Sequence, residues 1–566
     1  MSEELHSDLI ASIFGGKPAK IEEFFSKWNF ANAAVSKFDM ANSAKNELGD
    51  RICEVIENGE LTHVLLETIK ILSREKDGLE GLLNDPLCDK ILAFAELSSN
   101  ENNSKTVHTL MEAQKCLINT LFHSQRMRDR FYANPKTGEN LQFFLGEFEE
   151  NRRKTSSIDW IRLLNPVQAA EIWYFYHRIA FIATALGREF QKNWANDPKT
   201  IDSLLLAVEI CTNRSENSTQ DINRATEALK TFFNVFCHFH GDVKAIDHKN
   251  AAKTCQILRD AICSDVLTDD VVQSAIHCLS VPPLPMVLSV LCGKNSKNNG
   301  GENEEEKFFV EELSNMQLTE AILMHLDKQL TKVVALLLND APNQQQNPML
   351  SAEASTLTDL VGPYFQVLAR LCTDSKYVRR YCRIRVIPPL VSEEVQKRPE
   401  ENNTLRGRIA RIMMLPSSTK DVAAEFLFII CKRSVNRMIK YLGFGHSAGH
   451  LANLGLLGQI NQPKHASDSE DSETEDYNQI KDSVNPVTGA IYPSDHGSAL
   501  AGMSEEQKEY EAMKLVDAMN QMMETGIVKP GTIGDDGKIR EVSHVLELLK
   551  NAPEPAPAEN SDSDEE

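Results

Sequence analysis

The chain of 566 residues contains no run of eighteen apolar residues, so no membrane-spanning helix is expected. Its opening, Met1-Ser-Glu-Glu-Leu-His6, lacks the basic and apolar regions of a secretory signal, and Ser2 stands where N-myristoylation requires glycine. There are 12 cysteines but no C-x-x-C pair. They stand singly in apolar stretches (Cys53, Cys116, Cys237, Cys278, Cys431), the usage of a reduced cytoplasmic protein with core thiols. No G-x-x-x-x-G-K-[ST] is present, because Gly15-Gly16-Lys17-Pro18 is too short, and no H-E-x-x-H occurs. Cys237, His238, His240 and His248 are crowded at spacings foreign to zinc sites, so neither metal nor cofactor is expected, and no catalytic residue. Sustained β-alternation is nearly absent and glycine is modest at 27 residues, which leaves an all-α chain. Basic residues are outnumbered 60 to 82, and the resulting charge of −22 argues against nucleic acid or an anionic membrane as partner.

What the chain does have is a helix written twice. Glu112, Lys115, Asn119 and His123 recur as Glu227, Lys230, Asn234 and His238. At about 100° per residue, offsets of 0, 3, 7 and 11 fall on one narrow stripe. The opposite faces carry Leu117, Ile118 and Leu121, or Phe232, Phe233 and Phe236. A partial copy, Glu67, Lys70 and Arg74, precedes the first by 45 residues, close to the period of armadillo and HEAT units. The next step, 115 residues, requires intervening helices. Stacked copies would bury their apolar faces on one another and align the polar stripes as a binding groove. A merely solvated face is the alternative for any single copy.

A helical-repeat domain over 1–458 is therefore expected, with Phe24, Phe25, Trp28 and Phe30 anchoring its first core and polar insertions at 293–307 and 342–355. Inside it, Lys376, Arg379, Arg380, Arg383 and Arg385 begin a basic cluster that extends through Arg411. Its richness in arginine suits bidentate phosphate or carboxylate binding, although an ordinary solvated face would look similar.

Residues 459–502 form an acidic linker in which Ser467 and Ser472 each have glutamate three residues on, the pattern read by an acidophilic kinase such as casein kinase 2. A clasp of phospho-Ser467 and phospho-Ser472 on the basic cluster is one reading, a plain acidic spacer the other. Ser504-Glu-Glu-Gln507 then opens a helix as a capping box, with an apolar face of Tyr510, Met513, Val516, Met519, Met522 and Met523. This Met-rich face suits either core packing or docking on a changeable partner. A second helix is predicted at Ile539–Lys550, closing a segment 503–550, and 551–566 is an acidic, Pro-rich tail.

Glu425-Phe-Leu-Phe-Ile-Ile-Cys-Lys-Arg-Ser-Val-Asn-Arg-Met-Ile-Lys-Tyr-Leu-Gly-Phe-Gly445, the acidic linker, Asn485-Pro-Val-Thr-Gly489 and Met503-Ser-Glu-Glu-Gln-Lys-Glu-Tyr-Glu-Ala-Met-Lys-Leu515 closely resemble the synembryn family. Ile71–Lys76, Glu112–His123 and Val386–Leu390 are similar too. The resemblance implies a cytoplasmic chaperone and guanine-nucleotide exchange factor for heterotrimeric G-protein α subunits, recruited to the cell cortex through them and acting as a monomer. It implies an armadillo/HEAT superhelix whose groove takes the C-terminal helix of the α subunit. That helix ends in a carboxylate, for which Arg74, Lys115, Asn119, His123, Lys230, Asn234, His238 and Arg370 are the candidate contacts. It further implies that the segment with Tyr510, Met513, Val516, Met519 and Met523 contacts the nucleotide domain, and that Ser467 and Ser472 are phosphorylated. A non-catalytic armadillo adaptor and a metal-dependent hydrolase are the rival functions.

Overall fold

The computed structural model describes residues 5–56, 60–98, 106–197, 199–237, 248–282, 284, 287–288, 316–340, 352–459 and 474–492, with 503–504, 506–510, 513–514, 516, 531–533 and 539–541 beyond them. Its contacts divide the chain into two compact units, Met1–His325 and Leu326–Glu566. The division falls within the stretch expected from sequence to be one repeat domain.

The first unit is all helical among its described residues. In order come α1 (Ser7–Phe14), α2 (Pro18–Ala31), α3 (Asn42–Val55), α4 (Glu60–Leu72), α5 (Leu79–Leu82), α6 (Asp85–Phe94), α7 (Val107–His123), α8 (Gln125–Ala133) and α9 (Pro135–Glu147). There follow α10 (Glu150–Thr155), α11 (Asp159–Leu163), α12 (Pro166–Leu186), α13 (Arg188–Ala195), α14 (Lys199–Asn213), α15 (Thr219–Phe236), α16 (His248–Ile262) and α17 (Asp269–Cys278). Two rows emerge from their packing. One runs α2, α4, α7, α12, α15, α17, each helix against the next; the other runs α3, α6, α8, α9, α14, α16. This is the repeat stacking expected from the doubled helix.

Local sequence sets the helix starts. Asn165 caps α12 in a reciprocal box with Gln168, with Pro166 at the first helical position, and Ser218 caps α15 in the same way with Asp221. Leu117, Leu121, Ile172, Tyr176, Phe232 and Phe236 are fully buried between the rows. Each such apolar side chain contributes about 1.5–3 kcal/mol relative to exposure. Phe25 and Trp28 are core residues as expected, but Phe30 is 88% exposed: it lies on the opposite side of α2 from Phe25.

The second unit contains most of α18 (Gln317–Asp340), then α19 (Ala352–Asp374), α20 (Lys376–Val386), α21 (Leu405–Met413), α22 (Thr419–Ile430), α23 (Val435–Leu442), α24 (Phe444–Asn453) and α25 (Glu475–Ile480). α22 packs against α19, α20, α21, α23 and α24 and buries Ala423, Ala424, Phe426, Leu427, Phe428, Ile429 and Ile430. Residues 293–307, 342–351, 460–473 and 551–566 lie outside the described residues, whereas 352–355, expected in an insertion, begin α19.

Part of the expected linker is a bound strap. Thr474 Oγ1 donates to the Leu390 carbonyl, Ser392 N donates to Asp476 Oδ2 at 2.8 Å, and Ile491 N donates to Val395 O at 2.8 Å. Phe444 N and Gly445 N, at the start of α24, donate to Pro486 O and Val487 O. Gly443, at φ +76°, is required there: a Cβ would lie 2.8 Å from the Thr488 carbonyl carbon. Residues 539–541 are not helical, contrary to the expectation for Ile539–Lys550. They form β2 (Ile539–Glu541), antiparallel to β1 (Gly531–Ile533), with Ile533 opposite Ile539. Backbone pairing with the Thr-Ile pair upstream overrides the helical pattern of the isolated segment.

Candidate functional site

The polar stripes of α4, α7 and α15 fall on one row of stacked helices, and α12 contributes a further stripe between them. Glutamates recur on the four helices, as Glu67, Glu112, Glu171 and Glu227, and cations bridge them. Lys70 Nζ sits 3.2 Å from Glu67 and 2.7 Å from Glu112, and Lys115 Nζ sits 3.0 Å from Glu112 and 3.7 Å from Glu171. Arg178 of α12 reaches Glu227 at 2.9 Å, and Lys230 lies 3.6 Å from the same carboxylate. The stripe on α12, missed from sequence, was legible as Glu171 and Arg178 seven residues apart; the aromatics around them hid it.

The two asparagines hold neighbouring helices in register. Asn119 Nδ2 donates to Lys70 O at 3.2 Å, and Asn234 Nδ2 donates to Phe181 O and Thr184 Oγ1, each at 3.3 Å. His123 Nδ1 is 2.8 Å from Ser73 O, and Arg74, just past the end of α4, donates to Ala33 O and Val35 O. These side chains are all half-buried, so each ties the row together while keeping part of its surface exposed. Burial alone would raise the Glu112 carboxyl, but Lys70 and Lys115 outweigh it and hold it below the ordinary carboxylate value.

Aromatic faces brace the cations. Lys115 lies 5.4 Å from the centre of the Phe175 ring, while Arg178 and Lys230 lie 5.4 and 5.5 Å from that of Phe181. Between α4, α7 and α12 a cleft of about 220 Å³ is lined by Lys70, Arg74, Lys115, Asn119, Tyr174 and Arg178. Its donors and aromatic walls suit a carboxylate next to apolar side chains. His238, with His240 and the side chain of His248, lies outside the described residues. Arg370 belongs to α19 of the second unit, where it is half-buried.

The basic cluster divides between surface and interior. Lys376, Arg380 and Arg385 are exposed on α20; Arg379 donates to Cys372 O and Thr373 O, and Arg383 is buried. Farther along, Arg406 is buried against Glu394 at 3.3 Å, and Arg408 pairs with Asp327. A cleft of about 250 Å³ gathers Arg379 with Lys432 and Arg433, two cations that follow the basic run in sequence and join it only in space. Ser467 and Ser472 lie outside the described residues.

The capping box at Ser504 forms as expected: Gln507 N donates to Ser504 Oγ, and Ser504 N donates to Gln507 Oε1. In the helical turns that follow, Tyr510 is 67% and Met513 63% exposed, and Val516 is half-buried. Tyr510 and Met513 are therefore not core residues. Met519, Met522 and Met523 lie outside the described residues.

Residues 65–538 match the profile of a family described as guanine nucleotide exchange factor synembryn. The chain belongs to the synembryn family. It is 62% identical to the "Chaperone ric-8" of Caenorhabditis briggsae over 99% of this chain and 100% of that one. A "Chaperone Ric-8A" of Danio rerio is 28% identical over 88% of this chain and 87% of its own length. A Drosophila pseudoobscura pseudoobscura "Chaperone Ric-8" is 27% identical over 95% and 97%. As a synembryn, the protein falls in an exchange-factor and chaperone class, and the repeat architecture read from its doubled helix agrees. No helix among the described residues is long and apolar enough to cross a membrane.

Proposed function

We propose that this synembryn-family protein is a guanine-nucleotide exchange factor and folding chaperone for heterotrimeric G-protein α subunits, and that the polar row of its first unit takes their C-terminal helix. Family membership supports the first statement. The observation that carries the second is the polar row over α4, α7, α12 and α15, where cations are held half-exposed by glutamates and aromatic rings. Lys115, Asn119, His123, Arg74, Lys230 and Asn234 would meet the terminal carboxylate and the unpaired carbonyls at the helix end. His238 and Arg370 are further candidates for the same contact.

Exchange on this account needs no acid, base or metal. The protein binds the nucleotide-free α subunit more tightly than the GDP-bound one, so GDP affinity falls by the same coupling factor, and GTP reverses the preference. Chaperoning is that preference applied to an unfinished α subunit. Tyr510 and Met513, both exposed, with Val516, Met519 and Met523 of the same sequence pattern, would contact the nucleotide domain. Phosphorylation of Ser467 and Ser472 by an acidophilic kinase would clasp the linker to Lys376, Arg379, Arg380, Arg383 and Arg385, with Lys376, Arg380 and Arg385 the accessible members. The protein would act as a cytoplasmic monomer.

The test is GDP release from purified α subunits with and without the protein, followed by gel filtration without nucleotide. Faster release and a stable nucleotide-free complex dissolved by GTP are expected. Binding without faster release would replace exchange by a pure chaperone or adaptor role, and an equally active Lys115→Ala/Arg178→Ala variant would remove the groove.

A further inference from the structure

The cleft of about 250 Å³ in the second unit is lined by Thr373, Arg379, Ile429, Lys432 and Arg433, three cations and no acidic side chain. Its backbone departs from the usual pattern. Lys432 and Arg433, just past the end of α22, both lie in the left-handed region at φ +56° and +55°. Their N–H groups donate to Ile429 O and Phe428 O at 2.9 and 2.8 Å and so close the helix. Glycine closes a helix in this way without strain, because a Cβ is disfavoured at such φ values. The chain instead puts two long cations in succession at that turn, beside Arg379 in the first turn of α20. Simple capping of helix ends is the alternative reading of these cations, and Arg379 does serve it, donating to Cys372 O and Thr373 O at the end of α19. Arg433 does not. Its guanidinium has neither a hydrogen bond nor an ion pair among the described residues, and it is exposed, as is Lys432. Its charge and its five donors are therefore open to an anion.

We propose that this cleft docks the acidic segment Ser561–Glu566 of the same chain. Residues 551–566 hold six acidic residues and no lysine or arginine, and four of the six fall within Asp562–Glu566. Carboxylates are what a guanidinium fork and an ammonium group pair with. Glu541 is the last described residue, 20 residues before Ser561. A flexible chain of that length spans about 25 Å on average and about 70 Å at full extension, enough to cross a unit of this size. The acidic linker is the other anionic stretch, but it is pinned elsewhere. Thr474 is tied to the Leu390 carbonyl, past the C-terminal end of α20, whereas the cleft lies at that helix's first turn. Arg379 belongs both to the cleft and to the basic cluster proposed for the phosphorylated linker, so Arg433 is the residue that separates the two.

Fluorescence anisotropy with a labelled Asn551–Glu566 peptide tests this on two full-length proteins. One is the parent; the other carries Asp562→Asn, Asp564→Asn, Glu565→Gln and Glu566→Gln, so that its own tail no longer competes. A tethered segment acts at an effective concentration of about 1 mM. For a free peptide with a Kd of about 100 µM, the neutralised protein should then bind about tenfold more tightly than the parent. The peptide phosphorylated on Ser561 and Ser563 gains about −1.5 to −2 charges per phosphate and should bind more tightly again. Adding Lys432→Gly and Arg433→Gly to the neutralised protein should abolish binding without lowering its urea midpoint, since glycine suits both φ values. Adding Arg380→Ala and Arg385→Ala instead should leave binding unchanged. Equal binding to parent and neutralised protein, no binding at 1 mM, or binding that survives the glycine pair would each overturn the proposal. Loss of binding in the Arg380→Ala/Arg385→Ala protein would also overturn it, by moving the site to the exposed face of α20. The readout is peptide binding alone, so the exchange reading stands or falls separately.

Discussion

Arg224 is among the largest fully buried side chains, 1% exposed, with its guanidinium 3.9 Å from the centre of the Trp173 ring and Nη2 2.6 Å from Asp221 Oδ1. Burial pulls the Arg224 pKa down, and Asp221 opposes that fall; the Asp221 carboxyl in turn, despite burial, is held low by Arg224 and Ser218. Asp221 has other support, Arg214 at 3.2 Å and the cap hydrogen bonds of Ser218, whereas Asp221 is the one ion-pair partner of Arg224 among the described residues. Breaking the pair should therefore be asymmetric. Asp221→Ala strands a buried cation and removes half of a capping box, for a loss of roughly 4–6 kcal/mol. Arg224→Met leaves a partly solvated carboxylate with partners, and should cost about 2–3 kcal/mol, much of it the lost contact with Trp173. The double variant should be more stable than Asp221→Ala alone, with a coupling of at least about 2 kcal/mol. Trp28, Trp160, Trp173 and Trp194 are the chain's 4 tryptophans and all lie in the first unit, so urea unfolding followed by their fluorescence isolates the relevant transition. Equal single losses that simply add would refute a desolvated pair. The consequence for function is direct, since α15 carries Glu227, Lys230 and Asn234 into the polar row.

His177 is fully buried with neither ring nitrogen hydrogen-bonded, and burial, aided by Arg224, holds its pKa well below the ordinary imidazole value. The unfolded chain then binds a proton that the native one does not, so stability should fall as pH drops below about 6.5, by up to about 1.4 kcal/mol per pH unit. Urea midpoints measured from pH 7.5 to 5.5 should flatten in His177→Leu, and an unchanged slope would assign the acid sensitivity elsewhere. Asn119→Ala and Asn234→Ala should each destabilise the first unit by about 0.5–1.5 kcal/mol and weaken α-subunit binding beyond that loss; full affinity in a folded double variant would reduce both asparagines to helix spacers. Thr474→Val with Asp476→Asn should release the strap, read as faster proteolysis within 474–492. Since the Asp476 carboxyl is held at about 2, chiefly by the Ser392 N–H, the same release should appear in the parent protein as pH falls from 4 toward 2. Ser467→Ala with Ser472→Ala should slow exchange relative to the fully phosphorylated protein, and equal rates would eliminate the clasp.

The helices and their phase are local properties of the chain, and for that reason they were legible before any packing was known. The spacing of Glu112, Lys115, Asn119 and His123 follows from the α-helix alone, and the cap at Ser504 acts within four residues of itself. The family, too, could be read in contiguous motifs around 425–445 and 485–489. What each polar group faces was settled by packing instead. That Asn119 bonds the carbonyl of Lys70, 49 residues away, and that α12 rather than a repeat of the motif joins α7 to α15, depend on which helices stack. Arg383 and Arg385 are two residues apart in one basic run, yet one is buried and the other exposed. Helical phase puts them about 200° apart, but only the presence of α22 against α20 says which side is the interior. The strand at Ile539–Glu541 was hidden for the same reason: a strand is specified by its partner, and a hydrogen-bond ladder has no signature in one segment alone.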